Sequence, residues 1–266
     1  MNKLFIAFTG LFLFTACNGE AEKIEAEKVA VSSSDKELED LTVEAIIDSI
    51  YQKSGSALID QSDIYFDFRN FHYAYLQGED GLKQSRKYTN DKGEAVDDIW
   101  QGDSLMRTIE GEIVELKEKE ENAYKNSINS VFYFGFLPKA LKDPAVNATL
   151  VDEVEINQKR YHKIRVTFDE DGGGEDFYDI FLYWIGIEDY AVDYMAYQYF
   201  TEEGGIRFRS VDSVKEVNGI LFKDYLNYAP KEDMMNDFSN VDKVFSNGGM
   251  KLVSEIRLEN IRVIEN

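Results

Sequence analysis

Through most of the chain apolar and polar residues alternate with a period of two, the pattern of strands that bury one face and wet the other. The alternation is cleanest from Tyr161 to Phe168, where His162, Ile164, Val166 and Phe168 fall on one side and Tyr161, Lys163, Arg165 and Thr167 on the other. The acidic stretch Asp169-Glu170-Asp171-Gly172-Gly173-Gly174-Glu175-Asp176 then turns the chain through its glycines, and Phe177 to Trp184 returns as the second arm of a hairpin. A second pair follows, from Val192 to Phe200 and, after Glu202-Glu203-Gly204-Gly205, from Ile206 to Arg209. Upstream the pattern predicts strands from Ile64 to Leu76, Leu82 to Asn90, Glu94 to Trp100, Ser104 to Ile109, Glu112 to Lys117 and Ala148 to Ile156. Downstream, Asn218-Gly219 between Val217 and Ile220 is the strongest short hairpin signal. It leads into a strand from Ile220 to Tyr228, and a last strand is predicted from Lys251 to Val263.

The period changes to that of a helix in three places. Behind a Thr42 cap, Val43, Ile46, Ile47 and Ile50 make one apolar face as far as Gly55. Tyr124, Ile128, Val131, Phe132 and Phe136 repeat the spacing until Pro138 and Pro144 end it. Val241 to Phe245 predicts a short helix closed by Gly248-Gly249. Together these elements predict a mainly β (α+β) fold, a strongly curved antiparallel sheet or half-barrel whose concave side is covered by the Thr42 and Tyr124 helices.

The first 40 residues follow a different logic. Lys3, an apolar run from Leu4 to Phe14 and Thr15-Ala16 before Cys17 have the form of a secretory signal, with a run too short for a comfortable membrane span. Residues 18–40 carry eight acids, three bases and Ser32-Ser33-Ser34, the composition of a disordered tether. The expected organisation is therefore a signal segment over 1–17, a tether over 18–40 and a single curved-sheet domain over 41–266. With 51 acidic against 29 basic residues the net charge is −22, which repels nucleic acid and other phosphate-rich partners. The single cysteine rules out an intramolecular disulfide and a cysteine-based metal site.

The ending Phe14-Thr15-Ala16-Cys17 resembles the lipobox of bacterial lipoproteins, which implies a lipid anchor on Cys17 and an outer-membrane envelope location. Ser127-Ile128-Asn129-Ser130-Val131 with Leu137-Pro138, Tyr161-His162-Lys163 with Val166-Thr167-Phe168, Gly172-Gly173-Gly174-Glu175-Asp176-Phe177, Tyr183-Trp184 and Arg207-Phe208-Arg209 resemble an uncharacterised family of Bacteroidota lipoproteins. The order of elements resembles, more loosely, the half-barrel of the Lol-type outer-membrane lipoprotein carriers. Glu20 and Glu22 faintly resemble the acidic signal that sends some Bacteroidota lipoproteins to the cell surface.

Candidate chemistry is sparse. His72 and His162 each share strand parity with apolar neighbours, so both are expected to point inward as core or cavity histidines. The acidic loop from Asp169 to Asp176 offers hard oxygen ligands for calcium but fails the EF-hand spacing, with Gly173 at the fifth place and Ile180 at the twelfth; a solvated hairpin tip is the simpler explanation. Arg207 and Arg209 share a strand face and suit either bidentate grip of a carboxylate or phosphate, or cross-strand ion pairs. The aromatic excess, 18 Phe and 16 Tyr, suits a pocket wall or a solid core. No cofactor, metal or catalytic group is indicated. The expected ligand-binding wall is His162, Ile164, Val166 and Phe168 with Tyr178, Ile180, Leu182 and Trp184, even-numbered positions of two neighbouring strands presented to one side. Two functional readings stay open: a carrier or sensor of an acyl or other lipid-like ligand, and an envelope interaction module with a solid core. A hydrolase is a distant third.

Overall fold

Helix α1 (Val43–Lys53) starts where the Thr42 hydroxyl accepts the Ala45 N–H at 3.2 Å, leaving Ile46, Ile47 and Ile50 buried on one stripe. It opens a computed structural model that describes residues 42–172, 177–200, 203–231 and 237–266, all within the unit Asp40–Asn266. Cys17 and the tether lie outside the described residues, as do positions 173–176 of the acidic loop.

The described residues form two seven-stranded antiparallel sheets. In the first, β1 (Ser62–Phe68), β2 (Phe71–Gly78), β3 (Gly81–Thr89), β4 (Ala95–Gln101), β5 (Ser104–Ile109) and β6 (Glu112–Val114) run in chain order. In the second, β7 (Val146–Ile156), β8 (Lys159–Phe168), β9 (Ile180–Gly186), β10 (Val192–Tyr199), β11 (Gly205–Val217), β12 (Ile220–Pro230) and β13 (Met250–Ile256) do the same. The last strand, β14 (Glu259–Glu265), leaves the second sheet and pairs with β1 at the edge of the first. This is the unclosed, curved, mainly β architecture that the alternation predicts. At Asn218-Gly219 both residues take positive φ, 48° and 77°, as the predicted two-residue hairpin requires.

Several strand boundaries differ from the pattern: β6 ends at Val114 rather than Lys117, β9 starts at Ile180 rather than Phe177, and β11 runs on to Val217 rather than stopping at Arg209, while two further differences change which way side chains face. The stretch from Ile64 to Leu76 is a hairpin, not one strand: Arg69 takes φ 57° and Phe68 pairs with Phe71. Across a two-residue turn the parity reverses, so Phe71, Tyr73 and Tyr75 join Ile64, Phe66 and Phe68 in facing the core, while His72 faces solvent beside Asp67 at 2.5 Å. The inward reading of His72 is thus corrected; its side chain is 70% exposed. The predicted last strand from Lys251 to Val263 breaks at Leu258, where Asp224 Oδ1 accepts the backbone N–H at 2.9 Å and Lys215 Nζ donates to the carbonyl at 2.6 Å. Those two side chains replace ladder bonds, and the strand changes sheets there.

Helix α2 (Glu118–Gly135), begun by Glu120 accepting the Lys117 N–H at 3.0 Å, packs against the inner face of the first sheet. Phe132 meets Phe66 and Tyr73 edge-on, each at 5.7 Å, and Phe136 meets Tyr75 at 5.0 Å. Such ring pairs add about 0.5–1.5 kcal/mol each beyond their buried area. Beside them runs a row of charges that alternation alone would send outward: Arg86 on β3, Asp98 on β4 and Arg107 on β5 lie directly opposite one another. Asp98, fully buried, accepts from Arg86 Nη2 at 2.6 Å and from Arg107 Nε at 2.6 Å. The row reaches α2, since Arg86 Nη1 donates to Ser127 Oγ at 2.8 Å and the Arg107 guanidinium lies 3.3 Å from the Tyr124 ring centre.

The second sheet is covered on both faces. On one, α1 buries Ile46, Ile47 and Ile50 against Ile164, Val166, Tyr183 and Ile185. On the other, α3 (Val241–Ser246) sets Val241 among Tyr161, Leu182, Trp184 and Phe208, and a buried ion pair, Lys163 Nζ to Asp242 Oδ1 at 2.9 Å, fixes it.

Among the described residues Asp98 is the only carboxylate bonded to the two guanidiniums of this row, and removing it strands both cations. Asp98→Ala is expected to cost about 3–5 kcal/mol, read as a fall in the urea midpoint; a loss below about 1 kcal/mol would contradict the structural weight given to the row.

Candidate ligand-binding pocket

The register of β8 against β9 decides which side chains can form a wall. Ile164 pairs with Tyr183 and Val166 with Phe181, while Lys163 pairs with Trp184 and Arg165 with Leu182. Directly opposed residues share a face, so the even positions of β8 stand with the odd positions of β9. The eight residues expected to form one wall are therefore divided. Ile164, Val166 and Phe168 face α1 and α2, whereas Leu182 and Trp184 face α3. Ile180, of the same parity, goes with the latter pair, and Tyr178 lies before β9 with its side chain exposed. The physical reason is the odd sum of paired residue numbers set by the connecting turn, which exchanges every side chain of β9 between faces.

Trp184 is fully buried, lies against Phe208 at 5.3 Å and has Lys163 Nζ 5.3 Å from its ring, in the cluster under α3 and not on the wall of the cavity described below. His162 is buried as expected. Burial pushes its imidazole below the ordinary histidine value against the opposing pull of Glu153, whose Oε1 lies 3.4 Å from Nδ1. Its Nδ1 has no hydrogen-bond partner among the described residues.

A cavity of about 580 Å³ does open on the face that Phe168 shares. Its walls come from three directions. β2 and β3 give Tyr75, Leu82 and Gln84; α2 gives Asn129, Ser130, Tyr133 and Phe134; and the inner face of the second sheet gives Phe168, Phe181, Met195, Tyr197, Tyr199 and Arg209. Nine of the lining residues are aromatic. Tyr133 and Tyr183 share a hydrogen bond at 2.8 Å, and burial raises both phenols above their ordinary values, so they stay neutral and tie α2 to β9. A volume in the range of about 300–1,000 Å³ is that of a small-molecule site, and the lining here combines nine aromatic with eight polar or charged side chains.

Of the residues foreseen as a wall, Phe168 lines this cavity. Met195, Tyr197, Tyr199 and Phe181 are legible as apolar or aromatic positions of the right strands, and the register is what identifies their face. The α2 contribution is hidden from the pattern because Asn129 and Ser130 read as the wet side of a helix. Arg207 and Arg209 do share a face, but neither forms an ion pair with a carboxylate among the described residues: Arg207 lies over Tyr199 at 5.4 Å, and Arg209 over Tyr197 at 5.2 Å and Phe134 at 5.0 Å. Among the described residues no group of three or more His, Cys, Asp or Glu side chains could hold a metal ion.

Fold and pocket together define a curved two-sheet β-protein with an aromatic cavity held open beneath a helix. The chain belongs to a family of unknown function, DUF6503, whose sequence profile matches residues 2–258. No curated protein matches it. Among solved structures it is similar to a LolA superfamily protein of Nitrosomonas europaea (10% identity, 83% of this chain and 93% of that one, TM-score 0.45). It is also similar to a DUF1329 family protein of Desulfovibrio piger (9% identity, 83% and 92%, TM-score 0.44).

The division of faces is testable by thiol accessibility in a Cys17→Ser background. A cysteine replacing Ser130, at the exposed rim of the cavity, is expected to react with a maleimide at the rate of a free thiol. One replacing Leu182 is expected to be protected at least about a hundredfold, because reaction there needs local opening. Equal rates would contradict the register.

Proposed function

We propose that the protein is a membrane-anchored envelope lipoprotein that binds a hydrophobic, acyl-chain-like ligand in the cavity under α2 and performs no catalysis. The observation that carries this reading is the cavity itself, about 580 Å³ and lined by nine aromatic residues. Tyrosine and phenylalanine walls give an alkyl chain a large apolar surface, beside eight polar or charged side chains that can meet a polar end.

The anchoring half of the proposal is supported by sequence. Cys17 stands at the end of a short apolar signal and is the only cysteine, and the acidic residues 18–40 give the folded part reach from a surface. Two acyl chains on Cys17 suffice for stable attachment. The Bacteroidota lipoprotein resemblance and an outer-membrane location belong to the same proposal. One observation favours a second reading, an interaction module: the first sheet ends on β6 with Ile113 74% exposed, an edge able to accept a partner strand.

The test is titration of the full-length Cys17→Ser protein with a fluorescent acyl probe, beside the same protein carrying Ser130→Trp. Saturable binding is expected, weakened about tenfold or more when the indole fills the rim, with circular dichroism unchanged. Absence of saturable binding, or binding indifferent to Ser130→Trp, would overturn the carrier reading. The same Cys17→Ser change is expected to release the protein from membranes.

A further inference from the structure

Arg209 is the one cationic side chain of the cavity with neither a carboxylate partner nor an exposed position among the described residues. It is nine-tenths buried, at 9% exposure. Its Nη2 donates to the Tyr197 hydroxyl at 3.3 Å, a long bond, and its Nε has no hydrogen-bond partner. The guanidinium is held between the Phe134 ring of α2 and the Tyr197 ring of β10, at 5.0 and 5.2 Å. Lys139, the other cation of the lining, is already paired with Asp60 at 3.1 Å.

A buried guanidinium has five donors and loses its hydration on burial. The contrast with the row under α2 is direct: there one carboxylate serves two arginines, and here π-faces and one phenol serve a third. Ring faces attract the cation but accept no hydrogen bond along the N–H directions, so the Nε donor is left over. Two aromatic rings beside the group limit its freedom, and a preorganised guanidinium suits bidentate recognition of an oxyanion.

We infer that Arg209 is the head-group site of the cavity, and that the ligand is an acyl chain ending in an oxyanion, a carboxylate or a phosphate, rather than a neutral lipid. This rests on the acyl-binding reading and adds the chemical class of the ligand. Asp143 and Asp179 also line the cavity; Asp143 accepts the Ala145 N–H at 2.9 Å and Asp179 has a partner of its own. Two carboxylates in the lining disfavour an anion, which is therefore expected only in contact with the guanidinium. The net charge of −22 does not forbid it, because exposed charges are screened beyond roughly 8–10 Å in physiological salt, whereas Arg209 acts at contact.

The experiment measures four probes by displacement of the fluorescent acyl probe from the full-length Cys17→Ser protein: palmitate, a lysophospholipid acid with a free phosphate head, hexadecanol, and inorganic phosphate. One or both acyl anions are expected to bind at least about tenfold tighter than hexadecanol, the worth of a charge-assisted hydrogen bond, and which of them leads identifies the head group. Arg209→Met is expected to erase that preference while hexadecanol still binds, and Arg209→Lys to keep part of it. Equal binding of hexadecanol and both anions in the wild type would overturn the head-group site and leave the carrier reading standing. Displacement by inorganic phosphate as strong as by the acyl anions would overturn the assignment to a lipid, and failure of every acyl probe would overturn both readings. The wild-type comparison does not depend on the variants folding.

Discussion

Everything specific about this domain depends on α2 being held against two sheets at once. Toward the first sheet the helix is fixed by Phe132 and Phe136 among Phe66, Tyr73 and Tyr75, and by the Arg86–Asp98–Arg107 row through Ser127 and Tyr124. Toward the second it is fixed by Tyr133 on Tyr183 and Phe181, and by Phe134 beside Arg209. A helix is about 10–12 Å across with its side chains, too narrow to fill the concavity of a curved sheet along its whole length. Space remains along the helix where Asn129 and Ser130 stand beside Tyr133 and Phe134. That residual space is the cavity.

The fold is legible in the sequence wherever one local rule acts alone. Asn218-Gly219, the Thr42 cap and the Pro138 stop each specify backbone geometry within a few residues, and the structure has all three. The departures have a common origin in parity. Between Phe68 and Phe71, and again between β8 and β9, the turn reverses which residue numbers face the core, and a pattern read along one strand cannot supply that information for the next. For this reason His72 lies on the opposite face from the one its neighbours suggest, and Leu182 and Trp184 belong to the α3 side rather than to the pocket wall.

Buried charge is the other part that alternation hides. Asp98, Lys163, Arg209 and Asp224 occupy positions a binary pattern would leave in water. Asp98 holds α2, Lys163 docks α3, Arg209 lines the cavity, and Asp224 switches the last strand between sheets at Leu258. Three of the four have oppositely charged partners. Buried charges are expensive unless paired; among the described residues Lys223 also lacks a carboxylate partner, its Nζ donating to the Val192 carbonyl at 2.9 Å, but Arg209 is the one that lies in the cavity.

Photo-crosslinking with a diazirine-bearing fatty acid, followed by peptide mapping, reports whether the space under α2 holds an acyl chain. Labelling is expected on and just beyond α2, around Asn129 to Phe136, and on the inner face of β9 and β10 at Phe181, Met195, Tyr197 and Tyr199. Labelling confined to α3 and the Trp184 face, or to exposed strand edges such as Ile113, would contradict the acyl-chain reading.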